Sequence, residues 1–123
     1  MADRFDIVVV GAGPAGLAAA RCASEAGARV AMVDDNPNPG GQIWRGGVNG
    51  IATEAAAWMT GAVTWLSGAR VVAAPEPGTL SLEDSDIGYG RLILATGARE
   101  RFLPFPGWTL PNVMGAGGLQ ALA

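Results

Sequence analysis

The stretch Phe5–Gly16, "FDIVVVGAGPAG", decides the fold. Its first half is β-branched and closes on the unbroken apolar run Ile7–Val10, the pattern of a parallel strand buried on both faces. The strand runs straight into Gly11-Ala12-Gly13-Pro14-Ala15-Gly16. Pro14 suits the first turn of a helix, alanines fill the residues that follow, and Gly27 suits the C-terminal cap. Arg21 and Glu25 stand four apart, as neighbours on the outer face of such a helix.

Working outward, "ARVAMVDD" (Ala28–Asp35) reads as a second strand ending in two carboxylates. "NPNPGGQIWRGG" then breaks the pattern with prolines and glycines. Thr53 is placed to cap a short helix through Met59, with Glu54 favourable in its first turn. "AVTWL" (Ala62–Leu66) predicts a third strand. "ARVVAA" and "TLSLED" flank Pro75-Glu76-Pro77-Gly78 and predict a hairpin lying outside the main sheet. "RLILAT" (Arg91–Thr96) is another apolar strand, and the segment after it is rich in loops until a helix begins near the end. Strands alternating with helices predict an α/β domain with a mostly parallel, Rossmann-like sheet. The expected organisation is one domain over residues 1–123, with an antiparallel hairpin insertion near 69–84.

Composition narrows the chemistry. Half of the 123 residues are apolar, which favours a buried core over disorder, and nineteen glycines far exceed the usual share of about 7%. The net charge is −3 and the eight basic residues, all arginine, do not cluster in sequence, which argues against nucleic acid. No apolar run reaches the roughly 18 residues of a membrane span. Asp3 and Asp6 flank Arg4 where a leader peptide would be basic, so a cytoplasmic setting is expected. Cys22 is the single cysteine and histidine is absent. Thiolate metal sites and iron–sulfur clusters are therefore excluded for this chain, no metal ligands are assigned, and no catalytic residue stands out. Cys22, among alanines, is expected to be buried and inert. Glu83, Asp84 and Asp86 read as a solvated acidic turn.

Gly11, Gly13 and Gly16 form G-x-G-x-x-G between a strand and a helix. The first permits the tight turn, the second leaves room for a pyrophosphate against the backbone, and the third lets helix and strand pack closely. The N-terminus of the helix then aims free N–H groups and partial positive charge at the phosphates. Asp34, eighteen residues after Gly16, ends the second strand, where a carboxylate can accept both hydroxyls of an adenosine ribose and repel a 2′-phosphate. These elements point to a dinucleotide and serve NAD and FAD alike. A surface acid is the plain alternative, and it suits Asp35 better than Asp34.

Gly41-Gln42 after that acid, and Ala95-Thr96-Gly97 after the last strand, separate the two. Here the sequence resembles flavoproteins with two dinucleotide-binding domains, similar to glutathione and thioredoxin reductases. The resemblance implies that Gly11, Gly13, Pro14 and Ala15 hold the pyrophosphate of FAD, with Gly16 completing the cofactor-binding turn, and Asp34 the ribose, with Asp35 beside the adenosine. It implies Gly41 and Gln42 near the ribityl chain and flavin, and Ala95, Thr96 and Gly97 closing over the cofactor. "NPGGQIWR" with "ATGARERFLPFPGWTLPNVMGAGGLQAL" looks closer still to the FAD subunits of bacterial amine and imino-acid dehydrogenases. That group includes opine dehydrogenase, D-hydroxyproline dehydrogenase, hydrogen cyanide synthase and the large subunit of heterotetrameric sarcosine oxidase. It implies a flavin-dependent dehydrogenase acting on a C–N bond of a small amine or imino acid, with other subunits as partners.

Two departures stand out. The region between Gly46 and Ala62 is shortened, and neither the second domain nor the later Gly-Asp segment of that group is present. A split or truncated domain with a binding or assembly role is the second reading, and a simple NAD-binding domain the third. Trp44 and Arg45 stay open between flavin or phosphate on one side and core or solvent on the other; Trp58, Trp65 and Trp108 read as packing residues.

Overall fold

The computed structural model describes residues 2–44, 46 and 52–123. In chain order the elements are β1 (Asp3–Val10), α1 (Pro14–Glu25), β2 (Val30–Asp34), α2 (Thr53–Trp58), β3 (Val63–Ser67), β4 (Val71–Glu76), β5 (Thr79–Leu82), β6 (Asp86–Leu94) and α3 (Ala116–Leu122). They build a six-stranded sheet in the order β3-β2-β1-β6-β5-β4. Neighbours from β3 to β6 are parallel, with Val9 opposite both Met32 and Ile93 and Met32 opposite Trp65. The β5–β6 and β4–β5 pairs are antiparallel. This is the α/β architecture that the strand–glycine–helix pattern predicts.

The central strands are buried on both sides, as their unbroken apolar runs require. Val9, Val30 and Met32 face α1 and pack with Leu17, Ala20 and, from α2, Ala55. Val8, Ala31 and Val33 point the other way and pack with Leu80 and Leu82 of β5 and Ile87 at the start of β6. Each fully buried side chain of the size of Leu17 or Met32 contributes on the order of 1.5–3 kcal/mol. The apolar run Ile7–Val10 is thus core strand.

Helix α1 ends as its glycine suggests. Gly27 has φ +90, its N–H donates to the Ser24 carbonyl at 2.9 Å, and the Ala28 N–H reaches back to Ala23 at 3.1 Å. This paired closure is the Schellman motif, which satisfies carbonyls the helix cannot pair itself. Arg21 and Glu25 form the expected pair at 2.8 Å, and the Arg21 guanidinium also lies 5.5 Å from the Trp58 ring.

Several local expectations change. β2 starts at Val30 rather than Ala28, because Ala28 closes the helix and the Arg29 N–H is taken by the Asp6 carboxylate at 2.7 Å. Thr53 is the first residue of α2 rather than its cap; Ala52 holds that position with no side-chain hydrogen bond. The hairpin is not outside the sheet. β5 is hydrogen-bonded to the start of β6 and continues the same sheet, so that its apolar side covers the second face. β6 begins at Asp86, five residues before the apolar run, through Gly88 and Gly90. A side chain at Gly90 would press on the Asp6 carbonyl at 2.9 Å, so glycine there marks close approach rather than a break. Cys22 is exposed, not buried, because it lies on the solvent side of α1. Trp44 and Trp65 pack against the α1-side core, whereas Trp58 and Trp108 stay exposed. The acidic turn is exposed, with Glu83 3.4 Å from Arg70. Among the described residues no cluster of acidic, cysteine or histidine side chains has metal-binding geometry, and no helix is long and apolar enough to cross a membrane.

Candidate cofactor site

The C-terminal ends of β1, β2 and β6 meet at one edge of the sheet, and three loops leave from there. Gly11 turns out of β1 at φ +105, and its N–H donates to the Val33 carbonyl at 2.8 Å. A side chain at Gly11 would collide with the Ala95 carbonyl, and one at Gly16 would collide with the Gly11 carbonyl. Both glycines are therefore forced by packing, one by the neighbouring strand end and the other by its own turn. Gly13 is the N-cap of α1, Pro14 opens the first turn, no side chain caps the helix and no acidic residue sits in that turn. The N–H groups there are left to face an anion, with the positive end of the helix dipole behind them.

The loop after β2 folds back onto this turn. Pro39 and Gly40 are buried. The Gly40 N–H donates to the Ala12 carbonyl at 2.8 Å, and the Trp44 N–H closes a turn onto Gly40 at 3.1 Å. Gly41 has φ +61, and a side chain there would come within 2.9 Å of the Gly13 Cα. Two glycine loops thus touch backbone to backbone, with no room for a Cβ at Gly41, and together they form a cradle around the start of α1.

Asp34 is half-buried between them. Its Oδ2 accepts the Ala12 N–H at 2.6 Å, and its Oδ1 accepts the Asn36 N–H at 2.8 Å and the Asn36 side-chain amide at 2.7 Å. Asp35 is exposed, and its Oδ1 accepts the Asn36 side-chain amide at 3.4 Å. On the β6 side the strand ends at Leu94, one residue short of Ala95, yet the Ala95 N–H still pairs with Val10 at 2.8 Å. Thr96 and Gly97 continue outward, exposed, with Gly97 at φ +69.

Gly11, Gly13, Pro14, Gly16, Asp34, Gly41 and Ala95 therefore converge around one cradle, while Ala15, Asp35, Gln42, Thr96 and Gly97 stand exposed at its rim. Trp44 turns into the core, and Arg45 lies outside the described residues. Sequence reasoning passes over Ala12 and Asn36. Ala12 ties the β1 turn to the end of β2 and to the loop that follows it with its two backbone groups, a role that leaves no trace in residue type. Asn36 carries a signal, since an asparagine two residues after a strand-end aspartate favours a local turn. Free N–H groups at a helix start, a side-chain-free cradle and a carboxylate placed for a diol together suit a dinucleotide.

Residues 5–120 match the family described as pyridine nucleotide-disulphide oxidoreductase. The chain is 41% identical over 143 positions to an opine oxidase subunit of Rhizobium meliloti strain 1021, covering 96% of this chain and 30% of that protein. It is 37% identical over 134 positions to hydrogen cyanide synthase subunit HcnB of Pseudomonas protegens, covering 92% and 29%. Among solved structures, thioredoxin reductase of T. acidophilum superposes with a TM-score of 0.64 at 26% identity, over 81% of this chain and 38% of that one. The chain spans less than a third of the length of these curated relatives. The opine oxidase match runs over 143 positions against 123 residues here, so at least 20 of those positions have no counterpart in this chain. With the sheet order, the glycine turn and the family match in agreement, the chain belongs to the pyridine nucleotide-disulphide oxidoreductase family, a family of FAD-binding flavoproteins.

Proposed function

We infer that this chain is the FAD-binding part of a flavin-dependent oxidoreductase that oxidises a C–N bond in a small amine or imino acid, together with other polypeptide. The observation that carries the reading is the contact between the glycine turn at Gly13 and the glycine pair at Gly40-Gly41, which builds the cradle around the helix start. In the same reading residues 1–123 are a partial FAD domain, with the hairpin near 69–84 as its insertion.

Each part of the cradle has its share of the cofactor. Gly11, Gly13, Pro14, Ala15 and Gly16 hold the pyrophosphate through backbone and helix dipole. Asp34 receives the ribose hydroxyls, with Asp35 beside the adenosine. Gly41 and Gln42 face the ribityl and flavin half, and Ala95, Thr96 and Gly97 close the β6 side. Bound FAD supplies the redox chemistry, accepting the hydride equivalent that an amine C–N oxidation releases. This chain binds and orients; with no histidine, it offers no assigned proton carrier. The amine or imino-acid class is supported by relatives named opine oxidase and hydrogen cyanide synthase, and the word "subunit" in both names supports partner chains.

A second reading is a split domain with an assembly role and no activity by itself. It is favoured by the run of exposed apolar side chains from Phe102 to Leu122 and by β6, which pairs with β5 only over Asp86–Gly88. The visible spectrum and mass of the purified chain discriminate. Near-stoichiometric flavin is expected for independent FAD binding. A folded, colourless chain that turns yellow only with a partner supports the split domain, and tight NAD binding without flavin defeats both.

A further inference from the structure

The carboxylate assigned to the ribose is already engaged. Asp34 Oδ2 accepts one hydrogen bond, from the Ala12 N–H at 2.6 Å. Asp34 Oδ1 accepts two, both from Asn36: the backbone N–H at 2.8 Å and the side-chain Nδ2 at 2.7 Å. A carboxylate has about four acceptor positions, two on each oxygen. Oδ1 is therefore full and Oδ2 has one position left. A ribose that donates both vicinal hydroxyls to one carboxylate needs two.

One of the three present donors must therefore leave, and they differ in how freely they can. The Ala12 N–H is fixed in the buried turn between β1 and α1. The Asn36 N–H is fixed by the backbone leaving β2, which is itself pinned by the Gly68 N–H on the Asn36 carbonyl at 3.0 Å. The Asn36 side-chain amide is the exception. It ends an exposed side chain, and rotation about two single bonds removes it from Oδ1 without moving any backbone.

We propose that the Asn36 side-chain amide is a placeholder on Asp34 that the adenosine ribose of the cofactor displaces, which makes Asn36 a determinant of dinucleotide affinity. The inference rests on the reading of Asp34 as the ribose ligand. Before the cofactor arrives, the amide supplies the hydrogen bond that a hydroxyl later supplies, while the Ala12 and Asn36 backbone N–H groups hold the carboxylate in place. Its displacement exchanges one neutral-donor bond on Asp34 for another and gives up the longer 3.4 Å contact of the same amide with Asp35, so Asn36 sets affinity through competition rather than through contact.

The test is a titration of the apoprotein with FAD, followed by flavin fluorescence, for the wild type, Asn36→Ala, Asp34→Ala and the double variant. Removing a competing hydrogen bond is expected to tighten FAD binding about 2- to 10-fold in Asn36→Ala. The same substitution is expected to change nothing in the Asp34→Ala background. If Asp34→Ala weakens binding while Asn36→Ala leaves it unchanged or weaker, the placeholder is wrong and the ribose reading stands. If Asp34→Ala has no effect, both fall. A measurement on the wild type avoids dependence on the variants. The Asn36 side-chain amide resonances should move to solvent-like positions on adding FAD, and equally on adding ADP, which carries the same ribose. Resonances that stay in place under saturating FAD overturn the proposal.

Discussion

Ala12 has no polar side chain, yet its N–H binds Asp34 and its carbonyl binds Gly40. The site therefore depends on backbone placement, and so on which positions can lack a Cβ. Gly41 is the sharpest case, because φ +61 and the 2.9 Å approach to Gly13 both forbid a side chain. Gly41→Ala is expected to push the two loops apart and lower FAD affinity by at least tenfold while the fold survives, read by flavin titration beside a thermal melt. Affinity within twofold of wild type would remove this loop from the site. Gly11, Gly13 and Gly16 are legible from spacing alone, because a strand-to-helix turn is local geometry. The hydrogen bonds of Ala12 and Asn36 are not, since they exist only once loops distant in sequence meet.

At the scale of elements, legibility follows the same division. β1 and α1 announce themselves through an apolar run, a proline at the first turn and a glycine beyond the last. The apolar run of β6 understates the strand by five residues, because Gly88 and Gly90 look like breakers until the neighbouring β1 is in place to require them. The solvent side of α1 is hard to place at Cys22, since a helix so rich in alanine shows little contrast between its two faces. The loop-rich stretch after β6 is ordered by turns. The Trp108 N–H closes onto Phe105 around Pro106-Gly107, and the Val113 N–H closes onto Leu110 around Pro111-Asn112, with Gly107 and Asn112 at positive φ. Gly27 offers the clean test of an element boundary. It has φ +90 and no atom within 4 Å of a Cβ, so Gly27→Ala adds backbone strain without a clash. The expected cost is about 1–2 kcal/mol in chemical denaturation, with FAD affinity unchanged. No loss of stability would mean that the Schellman closure does not hold the end of α1.

Across the whole molecule, apolar exposure is concentrated at one end of the chain. Phe102, Leu103, Phe105, Leu110, Leu119 and Leu122 are each more than half exposed, and Leu94 at the tip of β6 is 71% exposed. A surface of this kind is normally covered. In the proposed reading, in which the chain works together with other polypeptide, that polypeptide is the cover. Replacing Phe105 and Leu110 together with serine is expected to reduce self-association of the isolated chain in light scattering and to leave its melting temperature within a few degrees. Unchanged association would place the sticky surface elsewhere. None of this is legible strand by strand, because exposure is a property of what packs against a residue and the sequence records only the residue.

β6 also joins parts that would otherwise answer separately. Its start is clasped by the hairpin, its whole length lies along β1, and its end delivers Ala95 to the cradle. Its nine extended residues make a rod of roughly 30 Å. Hairpin and cradle are therefore the two ends of one strand rather than separately anchored parts, and the register of β6 on β1 fixes the distance between them.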